Sequence, residues 1–139
     1  MNVLIYGDNV ELKYHKVLIV EDEVFIALDL IDIVSSAGAL PVGPAGSVRQ
    51  ALRYLESTDV TAAILDVNLG NEDSLEVACW LRAAGIPFIY HSGHFNEKDP
   101  SRSWPVAPLA RKTAASHTLV ATLVAATKAH LRPLIRNSN

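Results

Sequence analysis

The chain has 139 residues, half of them hydrophobic, with 19% charged and a net charge of −3. That is enough for one domain with a real core and too little for two, and the composition excludes a disordered chain. The acidic balance leaves no nucleic-acid footprint, and the single cysteine, Cys79, excludes an internal disulfide. No apolar run reaches membrane-spanning length, so a cytoplasmic protein that touches neither membrane nor nucleic acid directly is expected.

The first segment, Met1 to Lys16, carries Asp8 and Glu11 and lacks signal-peptide architecture. Val3 to Tyr14 suits a hairpin or an extra strand as well as it suits an unstructured extension, so residues 1–15 are set apart from a main domain over 16–139. Val17-Leu18-Ile19-Val20 is a short β-branched run of the kind that forms a strand buried on both faces. Val24 to Ala37 has a helical period and stops at Gly38. Leu40-Pro41-Val42 is a weaker strand, with a proline suited to a sheet edge. Val48, Ala51, Leu52 and Leu55 make a helical stripe behind Ser47, a candidate N-cap. Ala62-Ala63-Ile64-Leu65 is the next buried strand. Val77, Ala78, Leu81 and Ala84 form a helix between Ser74 as cap and Gly85 as stop. Phe88-Ile89-Tyr90 is a strand. His94 to Pro105 is polar, contains two prolines and reads as a loop where a fourth helix is due. Val106 to Ala110 is a final edge strand, and Ser116 to Leu131 a last helix before Pro133.

This alternation predicts an α/β fold, a parallel sheet with helices on both faces and right-handed crossovers. Ligands in such folds bind outside the carboxyl ends of the strands. The residues at those ends are Glu21, Asp22 and Glu23, then Asp66, then Ser92 and Gly93, then Lys112. Each has an ordinary role when met alone: turn former, helix start or surface lysine. Their joint arrival at the ends of different strands is the signal. Crowded carboxylates repel one another, and a hard cation such as magnesium removes that conflict with few protein ligands. Lys112 supplies a positive charge and Ser92 a hydroxyl for phosphoryl oxygens, which leaves Asp66 as a carboxylate nucleophile.

At this point the sequence resembles the receiver domains of two-component response regulators, from about Lys16 to Leu131. The resemblance rests on Val17 to Glu23, on Ile64-Leu65-Asp66-Val67-Asn68-Leu69-Gly70, on Ile89-Tyr90-His91-Ser92-Gly93 and on Arg111-Lys112. It is closest in character to small stand-alone receivers. It implies a flavodoxin-like five-stranded sheet in the order 2-1-3-4-5, here with its fourth helix eroded. It implies Asp66 as phosphoacceptor, assisted by Ser92 and Lys112. It also implies Mg2+ held by Glu21, Asp22, Asp66 and the backbone carbonyl of Asn68. The implied donor is a sensor histidine kinase or a histidine phosphotransfer protein. The implied output is protein–protein interaction or service as a phosphate sink, without turnover of a substrate.

Two positions depart from the family pattern. Thr113 stands where a proline, often cis, follows the lysine, so a trans bond is expected there. Leu109 stands where the family keeps a switch aromatic. His94, two residues past Ser92, falls where the family tunes dephosphorylation. Two other readings compete with the receiver. A magnesium-dependent phosphohydrolase with an Asp nucleophile would need a second Asp where Asn68 stands. A receiver-shaped interaction module that is never phosphorylated would not need Asp66, Ser92 and Lys112. Finally, Ile26, Leu30, Ile33 and Ala37 are expected to be the buried stripe of the first helix. Val24, Leu28 and Ile31, with Phe25, then form a second stripe, covered either by the N-terminal segment or, the favoured reading, by a second copy in a homodimer.

Overall fold

The computed structural model describes the backbone of residues 11–93 and 102–137, and side chains within that range up to residue 129. Five parallel strands form the main sheet: β1 (Lys16–Val20), β2 (Leu40–Ala45), β3 (Ala62–Asp66), β6 (Phe88–Ser92) and β7 (Leu109–Arg111). A two-residue antiparallel pair, β4 (Asn68–Leu69) and β5 (Glu72–Asp73), stands apart from it just after β3. The main sheet runs β2-β1-β3-β6-β7. Counting its five strands alone, this is the expected order 2-1-3-4-5. Helices α1 (Val24–Ser36), α2 (Val48–Ser57), α3 (Leu75–Ala84) and α4 (Ser116–Asn137) are the helices among the described residues. Residues 94–101, where the family's fourth helix would fall, lie outside the described residues, and residues 102–108 are not helical.

The unbroken apolar runs are explained by cover on both sides. Leu18, Val20, Ala63, Leu65, Phe88 and Tyr90 point into one core, shared with Leu55 of α2 and Val77 and Leu81 of α3. Their strand neighbours Val17, Ile19, Ala62, Ile64 and Ile89 point into the other, with Leu30 and Val34 of α1 and Leu119 and Leu123 of α4. Alternate residues of one strand thus feed opposite layers, and a polar residue at any of these positions would be stranded.

Several local expectations are met by name. The Ser47 hydroxyl accepts the Gln50 N–H and caps α2. Gly85 takes a left-handed conformation, φ 72°, where α3 ends. Three others need correction. Of the expected stripe of α1, Leu30 and Ala37 are buried but Ile26 and Ile33 only half-buried; Ala27 and Val34 take their place, so the helix is turned somewhat from the expected face. The chain enters α1 from β1 through the three-residue corner Glu21-Asp22-Glu23, and the small Ala27, rather than the larger Ile26 or Ile33, meets the sheet most closely. Ser74 precedes α3 but does not cap it through its side chain; its hydroxyl donates instead to the Val67 carbonyl. Helix α4 runs past Pro133 to Asn137, although the proline removes one i→i−4 hydrogen bond from it.

The residues just before β1 join the core. Leu12 has no exposed surface, and its N–H bonds the Ala37 carbonyl at the end of α1. Residues 1–10, and with them most of the suggested hairpin, lie outside the described residues, as does His94.

Candidate functional site

Strands β1, β3 and β6 are neighbours in register, so their carboxyl ends open on one edge. Val20 lies beside Leu65, and Asp66 lies beside His91, one residue short of Ser92. The last strand then delivers Lys112, whose backbone N–H bonds the Ser92 carbonyl at 2.9 Å. The sheet itself therefore assembles the residues singled out from the sequence.

Glu21 is almost wholly buried, with its backbone N–H on the Ala45 carbonyl and its Oε2 accepting the Glu23 N–H at 3.1 Å. Asp66 is buried to the same degree; its Oδ1 accepts the Asn68 N–H at 3.3 Å. Lys112 Nζ sits between the two acids, 3.1 Å from Asp66 Oδ2 and 3.3 Å from Glu21 Oε1. Asp22 is exposed at the rim. One oxygen each of Glu21, Asp22 and Asp66 lie within 4.8 Å of one another. Ser92 is buried at the end of β6.

The electrostatics are those of two buried acids sharing one cation. Burial pushes the Glu21 carboxyl up to about 8, and the neighbouring Asp66 adds to the rise. Burial also raises Asp66, against the opposing pull of Glu21 and Lys112. Burial alone would lower Lys112, but the hydrogen bond to Asp66 and the charges of both acids outweigh it and raise the ammonium. One lysine does not balance this group: at neutral pH Glu21 keeps a proton, and its Oε1 has only the Lys112 ammonium, 3.3 Å away, which it shares with Asp66. Three converging carboxylates served by a single ammonium fit a hard divalent cation.

Some contributors were not visible in the sequence reading. Gly70 has φ +73° and lets the β4/β5 turn lie close to Asp22, where an added Cβ would come 3.5 Å from Asp22 Oδ2. A glycine after Leu69 is the sequence's sign of such a left-handed turn. Glu72 Oε2 accepts the Val48 N–H, so the same small pair of strands braces the start of α2. Asp73 pairs with Arg102. Tyr90, with no exposed surface, donates its hydroxyl to the Pro105 carbonyl and meets Phe88 and Trp104 edge-to-face at 5.4 and 5.9 Å. These contacts hold Trp104 and Pro105 against the sheet. Burial lifts the Tyr90 phenol to about 12. The Lys112–Thr113 bond is trans, as expected from the absence of proline. No helix among the described residues is long and apolar enough to cross a membrane.

This edge, on this sheet order, defines a class. The chain belongs to the receiver domains of response regulators, the signal-accepting modules of two-component systems. It is 36% identical to SdrG from Sphingomonas melonis Fr1, over 82% of this chain and 96% of that one, with a TM-score of 0.69. A response regulator receiver protein from Sinorhizobium medicae has a TM-score of 0.73 at 23% identity, covering 84% of this chain and 96% of its own. The transcriptional regulatory protein PdtaR of Mycobacterium tuberculosis is 30% identical over 84 residues, 60% of this chain. The match covers only 41% of that relative's length. No family model matches the sequence.

Proposed function

We propose that this receiver accepts a phosphoryl group on Asp66 in a magnesium-dependent reaction. The observation that carries the reading is the buried Asp66 carboxylate held 3.1 Å from Lys112 Nζ, within one cluster with Glu21 and Asp22. Glu21, Asp22 and Asp66, with the Asn68 carbonyl, would hold the ion, which when bound neutralises charge on the phosphoryl oxygens.

The chain's own residues supply the rest. Lys112 opposes the rise that burial imposes on the Asp66 carboxyl and offers its ammonium to a second phosphoryl oxygen. Ser92 offers its hydroxyl to a third. Asp66 attacks the phosphorus of a phosphohistidine; the O–P bond forms, the N–P bond breaks, and the imidazole nitrogen keeps the electron pair and takes a proton. The product is an acyl phosphate whose three outer oxygens face cationic or hydroxyl partners. A sensor histidine kinase or histidine phosphotransfer protein is the donor, and the output is binding to a partner or return of the group to water. Asn68 stands where a phosphohydrolase with an Asp nucleophile would need its second Asp.

Intact-mass measurement after incubation with phosphoramidate tests this. The wild type should gain one phosphoryl group only with magnesium present, and Asp66→Asn should gain none while keeping its circular dichroism. Phosphorylation of Asp66→Asn at the wild-type rate would move the site elsewhere.

A further inference from the structure

The short pair β4/β5 touches the carboxylate cluster on one side and the segment before β7 on the other. Asn68 donates its N–H to Asp66 Oδ1 and lies directly opposite Asp73 in the pair. Asp73 uses both of its oxygens. Oδ1 accepts the Leu75 N–H at 3.1 Å, at the start of α3. Oδ2 accepts from the Arg102 guanidinium in an ion pair.

The far end of that ion pair is itself anchored. Two residues past Arg102, the Trp104 ring stands edge-on to the buried Tyr90, and the Tyr90 hydroxyl donates to the Pro105 carbonyl. A path of direct contacts therefore runs from Asp66 through Asn68, Asp73 and Arg102 and ends beside Trp104. It bypasses Ser92, the hydroxyl proposed above to meet the phosphoryl group.

We propose that the Arg102–Asp73 pair is a latch that positions Asn68 for the divalent ion and links that site to the segment carrying Trp104. The inference rests on the reading of Glu21, Asp22, Asp66 and the Asn68 carbonyl as the magnesium site. Arg102 touches neither the ion nor the reacting atoms; it is a positioning residue that acts through Asp73. A pair of two-residue strands holds its shape poorly unaided. With Asp73 fixed from α3 and from Arg102, its partner Asn68 is set in place before the ion arrives, and less ordering is left for binding to accomplish. The coupling is reciprocal: whatever the latch adds to the ion's affinity, the bound ion adds to the latch. Both side chains of the pair are partly exposed, which limits the effect to a few-fold.

Calorimetric titration of the full chain with magnesium alone tests this, because no phosphoryl group is then present for Ser92 to follow. Arg102→Ala should weaken binding about threefold with unchanged circular dichroism. The sign is diagnostic: loss of a positive charge acting only through its field would strengthen the binding of a cation. Arg102→Lys, which keeps the charge, should recover part of the loss. Asp73→Asn keeps an acceptor for the Leu75 N–H but opens the latch, so adding Arg102→Ala to it should bring no further loss. Trp80→Phe leaves Trp104 as the one tryptophan; magnesium should change its emission in that background, and Arg102→Ala should remove the change. Binding by Arg102→Ala as tight as wild type or tighter would overturn the latch, and so would a further loss in the Asp73→Asn background or a Trp104 response that survives Arg102→Ala. A wild type that binds no magnesium would overturn the latch together with the metal site. A wild type that binds magnesium yet gains no mass from phosphoramidate would count against Asp66 as acceptor and leave the latch to stand or fall on the titrations.

Discussion

Replacing Lys112 with methionine removes the one cation that separates two buried acids. The ammonium lies 3.1 Å from Asp66 and 3.3 Å from Glu21, with about a fifth of its side chain exposed. Breaking a fully buried ion pair costs about 3–5 kcal/mol. Two features lower that figure: the lysine is partly solvated, and Glu21 already carries a proton at neutral pH, with its carboxyl up at about 8. A loss of about 2 kcal/mol remains, which moves a urea midpoint by roughly 1 M at an ordinary slope. The pH dependence has a definite sign. An acid whose folded value is raised binds more protons folded than unfolded between its two values, so stability falls as pH rises through that window. For Glu21 the window runs from its ordinary 4.5 up to about 8. Without Lys112 both acids rise further and the window widens upward. The deficit of Lys112→Met against wild type should therefore be larger near pH 8 than near pH 6, in urea titrations without divalent metal. A deficit that is absent, or equal at both pH values, would refute the picture of Lys112 as the counter-charge of this pair.

Magnesium should compete with the proton on Glu21, so its affinity should climb between about pH 6 and pH 8 and then level off; calorimetric titration across that range would show it, and a flat profile would place the ion elsewhere. Ser47→Ala removes the hydroxyl that accepts the Gln50 N–H and should cost about 1 kcal/mol in thermal or urea unfolding, leaving phosphorylation unchanged.

The legible parts of the fold were those where one physical cause dominates. Runs such as Val17 to Val20 and Ala62 to Leu65 have no polar residue to spare for solvent, so they had to be covered on both faces. Ser47 and Gly85 mark helix ends by chemistry that acts within a few residues. The cluster of Glu21, Asp22, Asp66, Ser92 and Lys112 was legible because the topology dictates that strand ends meet. Contacts between distant side chains left no such trace. Nothing in the sequence pairs Arg102 with Asp73 or Tyr90 with Pro105, since those depend on the path of a segment without periodicity. The rotation of α1 was misread because Ile26 and Ile33 look better suited to burial than Ala27, and the sequence does not show that a close approach to the sheet favours the small residue.

The bond from the Lys112 N–H to the Ser92 carbonyl bears on how far this lineage can drift. A proline after the lysine would fix the lysine by constraining the chain beyond it. Here the lysine is placed from behind, as the next rung of the ladder between β6 and β7, which already pairs Ser92 with Arg111. The residue at 113 is thereby released from the task of aiming the ammonium. Insertions and substitutions after Lys112 can accumulate without disturbing the charge at Asp66, whereas a single-residue slip of β7 would carry the ammonium away from both acids at once.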